Sequence, residues 1–433
     1  MNMNIKNINQ LYGFVQMSYI CLSEYTGYCI FGDYSKSIDN AVNRLATVNI
    51  LYVKLFQALS LTNNLIDQET KNHLLTFTDN APWTYRDIDF KTLKKVGETF
   101  NIKYVDGCDT PLNSGMISLA FKAYTESNKP VLVKIMRNDI KIRLANAIDD
   151  LVFGVNILSF IPFVNTFVKK YNLSYIVTNT VDMILDQTDF SKEVQNMITM
   201  SSNCSNMSYV IIPKVYPHVT EEFDSVILMD FIDGQTCNEV DEEDYEEFAK
   251  QVVKFGFTTL SIHGVTHGDL HAGNVLFVKD ANNTETPHKI AVLDFGIIYT
   301  CDDSFKELLL DILSDFLILS PKDMSTKILL SGIIQPDNLI PELPFHHYEF
   351  IKNSVTNIIE DTINSSNVSI VQLYSFVNEF YNFLNHPDIL KIGLRPSVQV
   401  VKCQLVLAMT IGLTLKLCKE DYMKVVYQVI SEF

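Results

Sequence analysis

The stretch HGDLHAGNVLFV at residues 267–278, together with KIAVLDFG at residues 289–296, decides the fold of this chain. In each of the two stretches, polar residues border an apolar run short enough for a β-strand. If the two runs pair as a hairpin, Asn274 and Asp294 lie at the same end of it. The polar residues then have three interpretations: a metal site, a phosphoryl-transfer loop, or an ordinary polar turn.

A histidine metal site is the weaker of these interpretations. His263, His267 and His271 are spaced four residues apart, as on one face of a helix, but intervening glycines interrupt such a helix. The chain contains eight cysteines, scattered and without a C-x-x-C pair, so no set of zinc ligands is completed nearby. The same scatter indicates reduced, intracellular thiols rather than a disulfide framework.

The phosphoryl-transfer interpretation fits the order of the polar residues. H-x-D-x-x-x-x-N followed by D-F-G is the pair of signatures that protein kinases use. Asp269 supplies a carboxylate that accepts or orients the proton of the nucleophile. Asn274 and Asp294 supply oxygen ligands of the kind that Mg²⁺ prefers. A polar turn without function explains neither the spacing nor the strand that precedes D-F-G.

A lysine in an apolar strand supplies the next element of this interpretation. PVLVKIM at residues 130–136 alternates in the manner of a strand, and Lys134 lies in its middle. Burial of this ammonium is costly unless it meets anions, which nucleotide phosphates and a helix glutamate provide. We expect Glu193 to be that glutamate, in a helix capped by Asp189. The alternatives are a solvent-facing lysine on an edge strand and an exposed helix glutamate.

The order of patterns along the chain predicts an α+β, two-lobed protein-kinase-like fold. Residues 1–105 have helical periodicity and form an N-terminal extension. Residues 106–236 form a strand-rich lobe with inserted helices, and residues 237–433 form a large helical lobe containing the catalytic and D-F-G segments. In the last region we expect short strands only around residues 274–278 and 290–293.

The composition of the whole chain is that of an acidic globular protein. It is 47% hydrophobic and 20% charged, with a formal net charge of -17, which disfavours nucleic acid as a partner. We find neither a secretory signal nor a clear transit peptide, and we expect an intracellular location. The apolar run at residues 405–415 is too short to span a bilayer and favours a buried helix. Peripheral membrane or lipid contact stays open.

Four stretches together resemble one family. HGDLHAGN resembles its HGDLHPGN, with Ala272 in place of proline, and D-F-G follows. QTDFSKEVQN resembles E-x-D-F-x-x-E-x-x-N, with Gln187 for the first glutamate. VKLFQ near the N-terminus resembles K-x-G-Q and retains Lys54 and Gln57, with Phe56 in place of glycine. The chain is therefore similar to the UbiB/aarF-domain (ADCK) atypical protein-kinase-like family, which is associated with coenzyme Q biosynthesis and lipid homeostasis.

The resemblance implies a regulatory contact. In the family, the lysine of the K-x-G-Q helix faces the E-x-D acids and occludes the place of a protein substrate. Carried over, Lys54, one helical turn from Gln57, faces Gln187 and Asp189. Because one carboxylate is replaced by an amide, we expect this contact to be weaker here.

The resemblance also implies a nucleotide-binding loop and a connector between the lobes. The family has an alanine-rich phosphate loop, and its equivalent here contains Asn113, Ser114 and Gly115, of which the glycine accepts a positive φ. The expected connector is LMDFIDG, with main-chain groups near Asp230 and Ile232 available to an adenine ring; a strand that ends in a glycine turn is an equally compatible interpretation.

These observations predict an atypical kinase or ATPase that uses ATP, or ADP, and Mg²⁺. Two alternatives remain: a nucleotide-binding pseudokinase that works as a scaffold, which Gln187 favours, and a small-molecule phosphotransferase similar to the aminoglycoside phosphotransferases. The acceptor and the oligomeric state are left open by the sequence.

Overall fold

The computed structural model divides the chain into two compact units. Unit 1 comprises residues 1–195 and 214–231, and unit 2 comprises residues 196–213 and 232–433. The structure describes residues 5–49, 52, 81–159, 185–280, 282–315, 318–365, 369–418, 424–425 and 428–429.

Unit 1 is built on an antiparallel sheet with the strand order β1-β3-β4-β6, with β2 paired to β3. The strand predicted at residues 130–136 is confirmed as β4. The turn between β3 and β4 contains Asn128 at φ 60°, a conformation that asparagine tolerates. The strands are β1 (Lys103–Tyr104), β2 (Asn113–Ser114), β3 (Ser118–Tyr124), β4 (Pro130–Met136) and β6 (Val226–Asp230).

One face of this sheet forms the core of unit 1. Alternate residues of β3 and β4 are fully buried, as the period of two requires. A helix, α3 (Phe90–Phe100), covers this face with Leu93 and Val96. The helix starts at Asp89, whose Oδ1 accepts the N–H of Thr92 at 3.0 Å. The core side chains of the two strands are Leu119, Phe121, Ala123, Val131, Val133 and Ile135.

The remaining helices of unit 1 come before and after the first strands. The N-terminal helices α1 and α2 pack against each other, and α1 also packs against α4. The boundary between the units falls within α5. Residues 53–80 of the predicted helical extension lie outside the described residues, and Lys54 and Gln57 are among them. The helices are α1 (Ile5–Phe31), α2 (Tyr34–Val48), α4 (Ile140–Ser159), α5 (Phe190–Asn203) and α6 (Pro217–Glu222).

Unit 2 contains the hairpin predicted from the opening motif. β8 (Val275–Lys279) pairs antiparallel with β9 (His288–Val292), and β5 (Val210–Ile211) joins β9 in parallel. The expectation of strands only near these positions was wrong, because short segments pair across distant parts of the chain. The additional strands are β7 (Val265–His267), β10 (Ile298–Thr300), β11 (Ile334–Gln335) and β12 (Arg395–Pro396).

Helices make up most of the rest of unit 2, and α8 to α14 contribute buried residues to one apolar core. α7 packs against α14, α11 against α9 and α12, and α12 against α14. The helices are α7 (Tyr245–Phe257), α8 (Asp303–Asp315), α9 (Pro321–Leu330), α10 (Leu339–Glu342), α11 (Phe345–Ser365), α12 (Ser369–Leu384), α13 (Pro387–Ile392) and α14 (Val398–Leu417).

The late apolar run belongs to a longer helix than the sequence suggested. α14 has 20 residues and begins at Ser397, whose hydroxyl accepts the N–H of Val400. The argument that the run was too short to span a bilayer was therefore wrong. By its length and composition alone, α14 could cross a membrane. In this structure α14 packs against α7 and α12, and 39% of its apolar window is buried.

The contact between α7 and α14 is closest at Gly256. A Cβ atom on Gly256 would lie 2.5 Å from Oγ1 and 2.7 Å from Cγ2 of Thr410. Such distances are below any normal van der Waals contact, so the two helices pack this closely only with glycine at position 256. Gly412, two residues beyond Thr410 in α14, is exposed, and its Cβ would meet nothing within 4 Å.

We predict that Gly256→Ala lowers the free energy of unfolding by about 1–3 kcal/mol, because overpacking must push the two helices apart. Gly412→Ala, the matched control, raises it by roughly 0.5–1 kcal/mol, since alanine favours a helix. Adding Thr410→Ala to Gly256→Ala recovers part of the loss. Denaturant unfolding of the variants measures these values. Equal stability of Gly256→Ala and the unmodified protein contradicts the close contact.

Candidate functional site

The imidazole of His267, at the end of β7, joins two backbone segments of unit 2. Its Nε2 donates to the carbonyl oxygen of Asp294, and its Nδ1 accepts the N–H of Asp269 at 3.0 Å. These bonds assign the neutral tautomer with the proton on Nε2. Burial lowers the pKa of His267 despite the opposing backbone bond and nearby carboxylates, so the ring stays neutral.

The loop that follows β7 fixes Asp269 and Asn274 relative to each other. The side-chain nitrogen of Asn274 donates to the carbonyl oxygen of Asp269 at 2.9 Å. This bond assigns the orientation of the amide and leaves its Oδ1 facing away from that carbonyl. The carboxylate of Asp269 is 25% exposed, and its Oδ2 lies 3.7 Å from Nε2 of His271. Asp269 is therefore held by its backbone while its carboxylate keeps access to solvent.

Asp294 follows β9 at the end of the hairpin that also carries Asn274. The N–H of Leu293 donates to the carbonyl oxygen of Asn274 at 2.9 Å, which ties the two ends together. Oδ1 of Asp294 accepts the N–H of Gly296 at 2.9 Å. The hairpin register thus brings Asn274 and Asp294 to one end, as the sequence predicted.

Asn196 is a supporting residue that the sequence reasoning did not assign. Its side-chain nitrogen donates to the carbonyl oxygen of Phe295 at 2.8 Å, in a buried position. This bond positions the backbone of the D-F-G segment, next to Asp294. The only signal for it in the sequence was its place in the family-like stretch QTDFSKEVQN.

Gly268, between His267 and Asp269, is required by packing. A Cβ atom there would lie 2.5 Å from Cγ2 of Ile297 and 3.1 Å from the ring of Tyr299. The N–H of Gly268 also donates to the carbonyl oxygen of Ile297 at 2.9 Å. Burial, together with the charge of Asp269, raises the pKa of Tyr299 to about 12, so this phenol stays neutral. The motif glycine therefore lets β10 approach the catalytic segment.

The structure does not support the histidine metal site. His263 ends a π-helical turn, whereas His267 lies in a strand, so these histidines do not share a helix face. Both ring nitrogens of His267 are engaged by the backbone. Across the part of the chain that the structure describes, no three His, Cys, Asp or Glu side chains gather as a metal site.

In unit 1, Lys134 and Glu193 form a buried ion pair. Nζ of Lys134 lies 2.6 Å from Oε1 of Glu193, and the two side chains are 11% and 2% exposed. The ring centroid of Phe190 lies 5.5 Å from the same ammonium. β4 pairs on both sides, with β3 and β6, so the edge-strand alternative for Lys134 is wrong. The pairing expected from the sequence is present.

Of the two residues expected to face Lys54, Asp189 is partly engaged within its own turn. Oδ1 of Asp189 accepts the N–H of Lys192 at 3.1 Å, so Asp189 caps α5 as predicted. Gln187 is half-buried in the turn that leads into this helix. Because Lys54 and Gln57 lie outside the described residues, the occluding contact stays a prediction.

The predicted phosphate loop is a strand followed by a turn. Asn113 and Ser114 form β2 and pair with Ala120 and Leu119 of β3. Gly115 begins the turn, but it is not among the residues with positive φ, so its conformation does not require glycine. The reason given for glycine at this position was therefore wrong.

The connector differs from the expectation at Asp230. The N–H of Asp230 donates to the carbonyl oxygen of Lys214 at 2.9 Å, so it is not available to an adenine ring. Oδ1 of Asp230 meets Nζ of Lys129 at 2.6 Å and the hydroxyl of Tyr216 at 2.7 Å. Ile232 is half-buried in an irregular segment, and its role stays a prediction.

The oxygen atoms at the hairpin end fit a magnesium ion. Asp294 offers an anionic oxygen, and Asn274 offers its Oδ1 because its amide nitrogen is already engaged. Two protein ligands are few, but Mg²⁺ keeps several waters and completes its shell with substrate phosphates. The donor chemistry is therefore that of a magnesium–nucleotide site rather than of a metal cage made by protein alone.

Comparison with known proteins shows the family. The sequence profile of the ABC1 atypical kinase-like domain matches residues 77–327, which is more than half of the 433 residues. The chain belongs to the ABC1 atypical kinase-like family. The predicted resemblance and the α+β protein-kinase-like fold class are thereby confirmed.

Individual relatives are distant. The chain is 24% identical over 280 residues to a probable serine/threonine-protein kinase, abkD, of Dictyostelium discoideum, covering 63% of this chain and 39% of that protein. It is 25% identical over 274 residues to a probable protein kinase UbiB of Actinobacillus pleuropneumoniae, covering 60% and 48%. The matches therefore span less than half the length of these relatives. A solved structure, an Rv3197–erythromycin complex from Mycobacterium tuberculosis, is 16% identical with a TM-score of 0.47, covering 83% and 87%.

We predict that Lys134→Met lowers the free energy of unfolding by about 3–5 kcal/mol, because it leaves the Glu193 carboxylate buried without its cation. The double variant Lys134→Met/Glu193→Met recovers most of this loss, since no buried charge remains. Lys94, whose Nζ lies 3.8 Å from Oε1 of Glu98 on the exposed face of α3, is the control. Lys94→Met changes stability by less than about 0.5 kcal/mol. A double variant less stable than the single one speaks against the pair.

Proposed function

We propose that this protein binds a nucleoside triphosphate, ATP, together with Mg²⁺ and transfers its terminal phosphoryl group to an acceptor or to water. ADP is then the product that stays in the same site. The observation that carries the proposal is the hydrogen-bonded set around His267, which ties Asp269 to the D-F-G segment at Asp294. Phosphoryl transfer depends on such positioning of oxygen donors more than on covalent chemistry by the protein.

In this proposal the residues of unit 2 handle the proton and the metal. Asp269 accepts the proton of the attacking hydroxyl or water, for which its carboxylate is exposed enough. Asn274 and Asp294 would hold Mg²⁺, which, when bound, neutralises charge on the phosphate oxygens. His267 and Asn196 act through the backbone, because they hold the two segments and touch no reacting atom.

The residues of unit 1 would bind the phosphates. Lys134 carries the ammonium, and Glu193 fixes its direction, because their 2.6 Å contact restrains a side chain that otherwise has many rotamers. A lysine ammonium carries three N–H donors, which suit both carboxylate and phosphate oxygens. The turn at Ser114 and Gly115 contributes main-chain N–H groups.

The acceptor is proposed only at the level of the family. Several relatives carry the names UbiB and AarF domain-containing protein kinase, and the name UbiB supports a role in ubiquinone or lipid metabolism. The relatives with these names are longer than the segment that matches this chain. We therefore propose this metabolic role separately from nucleotide binding.

Gln187 supports a second candidate, a nucleotide-binding scaffold without turnover. The amide stands where the family has a glutamate, half-buried in the turn before α5. An amide carries no charge, so it does not attract a metal ion or a lysine ammonium as a carboxylate does. Tight binding of Mg²⁺ and ATP without release of ADP or phosphate selects this candidate over the enzyme.

We predict that Asp294→Asn lowers turnover of Mg²⁺ and ATP by at least about 100-fold, the order of loss on removing one charge-stabilising group from an active site. The same change weakens the dependence of ATP affinity on Mg²⁺, because the anionic ligand is gone. Steady-state release of ADP and calorimetric titration with and without EDTA measure the two effects.

Asp361→Asn is the matched control for this variant. Asp361 is an exposed carboxylate on α11 of the same unit, and we expect unchanged turnover and affinity. Near-normal turnover in Asp294→Asn, with intact folding by circular dichroism, removes the metal role of Asp294.

A further inference from the structure

Arg137, the residue directly after β4, is a buried cation for which the proposed reaction has no use. The residue is 3% exposed. A guanidinium presents five N–H donors, and its burial is tolerated only when acceptors meet them. The positions of these acceptors therefore show which part of the chain Arg137 stabilises.

The guanidinium of Arg137 forms hydrogen bonds to the turn of the predicted phosphate loop. Nε and Nη2 both donate to the carbonyl oxygen of Gly115, at 3.0 and 2.8 Å, and Nη2 also donates to the hydroxyl of Ser114 at 2.8 Å. Nη1 donates to the carbonyl oxygen of Pro82 at 2.9 Å and lies 3.4 Å from Oδ2 of Asp87. Three of these contacts end on two consecutive residues, so the turn cannot rotate without breaking them.

The Gly115 contact also sets the direction of the next peptide N–H. In a planar trans peptide the carbonyl oxygen and the amide hydrogen point in opposite directions. Because the carbonyl of Gly115 faces the guanidinium, the N–H of Met116 faces away from it. Met116 itself is buried, so its N–H is directed by the peptide plane rather than by solvent. A main-chain N–H fixed in direction in this way is the kind of donor that binds phosphate in anion-binding loops.

A second contact makes the base of the turn rigid. The hydroxyl of Ser114 donates to the carbonyl oxygen of Ala81 at 2.7 Å, and the N–H of Ala81 donates to the carbonyl oxygen of Ser114 at 2.8 Å. Arg137 thus meets a turn that is also anchored to Ala81, whose carbonyl oxygen lies 3.5 Å from Nη2 of the same arginine. Since the residue is buried, its field is screened less than that of a surface arginine.

We propose that Arg137 is a positioning residue that shapes the Ser114–Met116 turn for the polyphosphate of the nucleotide, in place of a glycine-rich sequence. This inference rests on the proposed function. Glycine-rich loops reach phosphates because glycine permits unusual backbone angles, whereas Gly115 has no positive φ here. The side chain of Arg137 instead holds the turn in shape, because its planar guanidinium makes these hydrogen bonds only in a fixed geometry.

The test separates phosphate recognition from folding. Arg137→Lys keeps the charge but loses the fork, so it cannot hold the Gly115 carbonyl with two N–H groups. We expect its affinity for ATP with Mg²⁺ to fall roughly tenfold or more, and its affinity for adenosine, which has no phosphates, to stay within about twofold. Calorimetric titration of the full chain with each compound gives the ratio.

Arg143→Gln is the matched control. Nη1 of Arg143 contacts Oδ1 of Asp87 at 2.6 Å, so this arginine shares the carboxylate with Arg137, but its side chain holds Asp87 rather than the turn. We expect both affinities to stay within about twofold of the unmodified protein. Ser114→Ala, which removes one acceptor of the fork, lowers only the ATP affinity, by about threefold, and decides the question if Arg137→Lys does not fold.

Two outcomes overturn the inference while nucleotide binding stands. Parallel losses of ATP and adenosine affinity in Arg137→Lys mean that the residue only supports the fold. Unchanged ATP affinity in a folded variant means that the turn does not need the fork. If the unmodified protein binds no ATP, the proposed function fails first, and the inference falls with it.

Discussion

The arrangement of unit 2 depends on one uncharged imidazole. His267 accepts at Nδ1 and donates at Nε2, which only the neutral ring can do. A protonated ring would place a second N–H against that of Asp269 and break the connection. Burial favours the neutral form and so preserves the link between the catalytic loop and the D-F-G segment. The oxygen donors are therefore fixed before any ligand binds, which is the condition for electrostatic catalysis.

Two buried cations of unit 1 are stabilised by different kinds of partner. Lys134 meets a carboxylate, that of Glu193, so a polyanion adds to an existing ion pair. Arg137, three residues later, meets mainly carbonyl oxygens and a hydroxyl, which bind it without cancelling its charge. A lysine ammonium turns to follow a ligand, whereas an arginine fork keeps its plane. The lysine therefore suits contact with the ligand, and the arginine suits support of the backbone.

Much of this site was predictable because its residues form patterns along the chain. The hairpin of β8 and β9 was predicted from two apolar runs. The Lys134–Glu193 pair was predicted from a lysine within an apolar strand and a glutamate in a capped helix. Arg137 and Asn196 escaped prediction because they bind backbone carbonyls, which every residue type has. The engaged N–H of Asp230 escaped it for the same reason, since its partner is the carbonyl of Lys214. The length of α14 was misjudged because a helix continues past isolated polar residues, whereas an apolar run ends at them.

The glycines of the motifs show that a glycine in the sequence is not always one that the backbone conformation requires. Gly268 is required by the side chains of Ile297 and Tyr299, and Gly264 by its φ of 67°. Gly115 has no positive φ, and a Cβ atom there would lie 3.3 Å from the carbonyl oxygen of Ser118, a milder restriction than at Gly268. A loop poor in glycine cannot obtain its shape from backbone freedom, so its shape must come from contacts outside the loop. Arg137 provides those contacts, which is why a buried charge stands one residue beyond a strand that otherwise ends in apolar side chains.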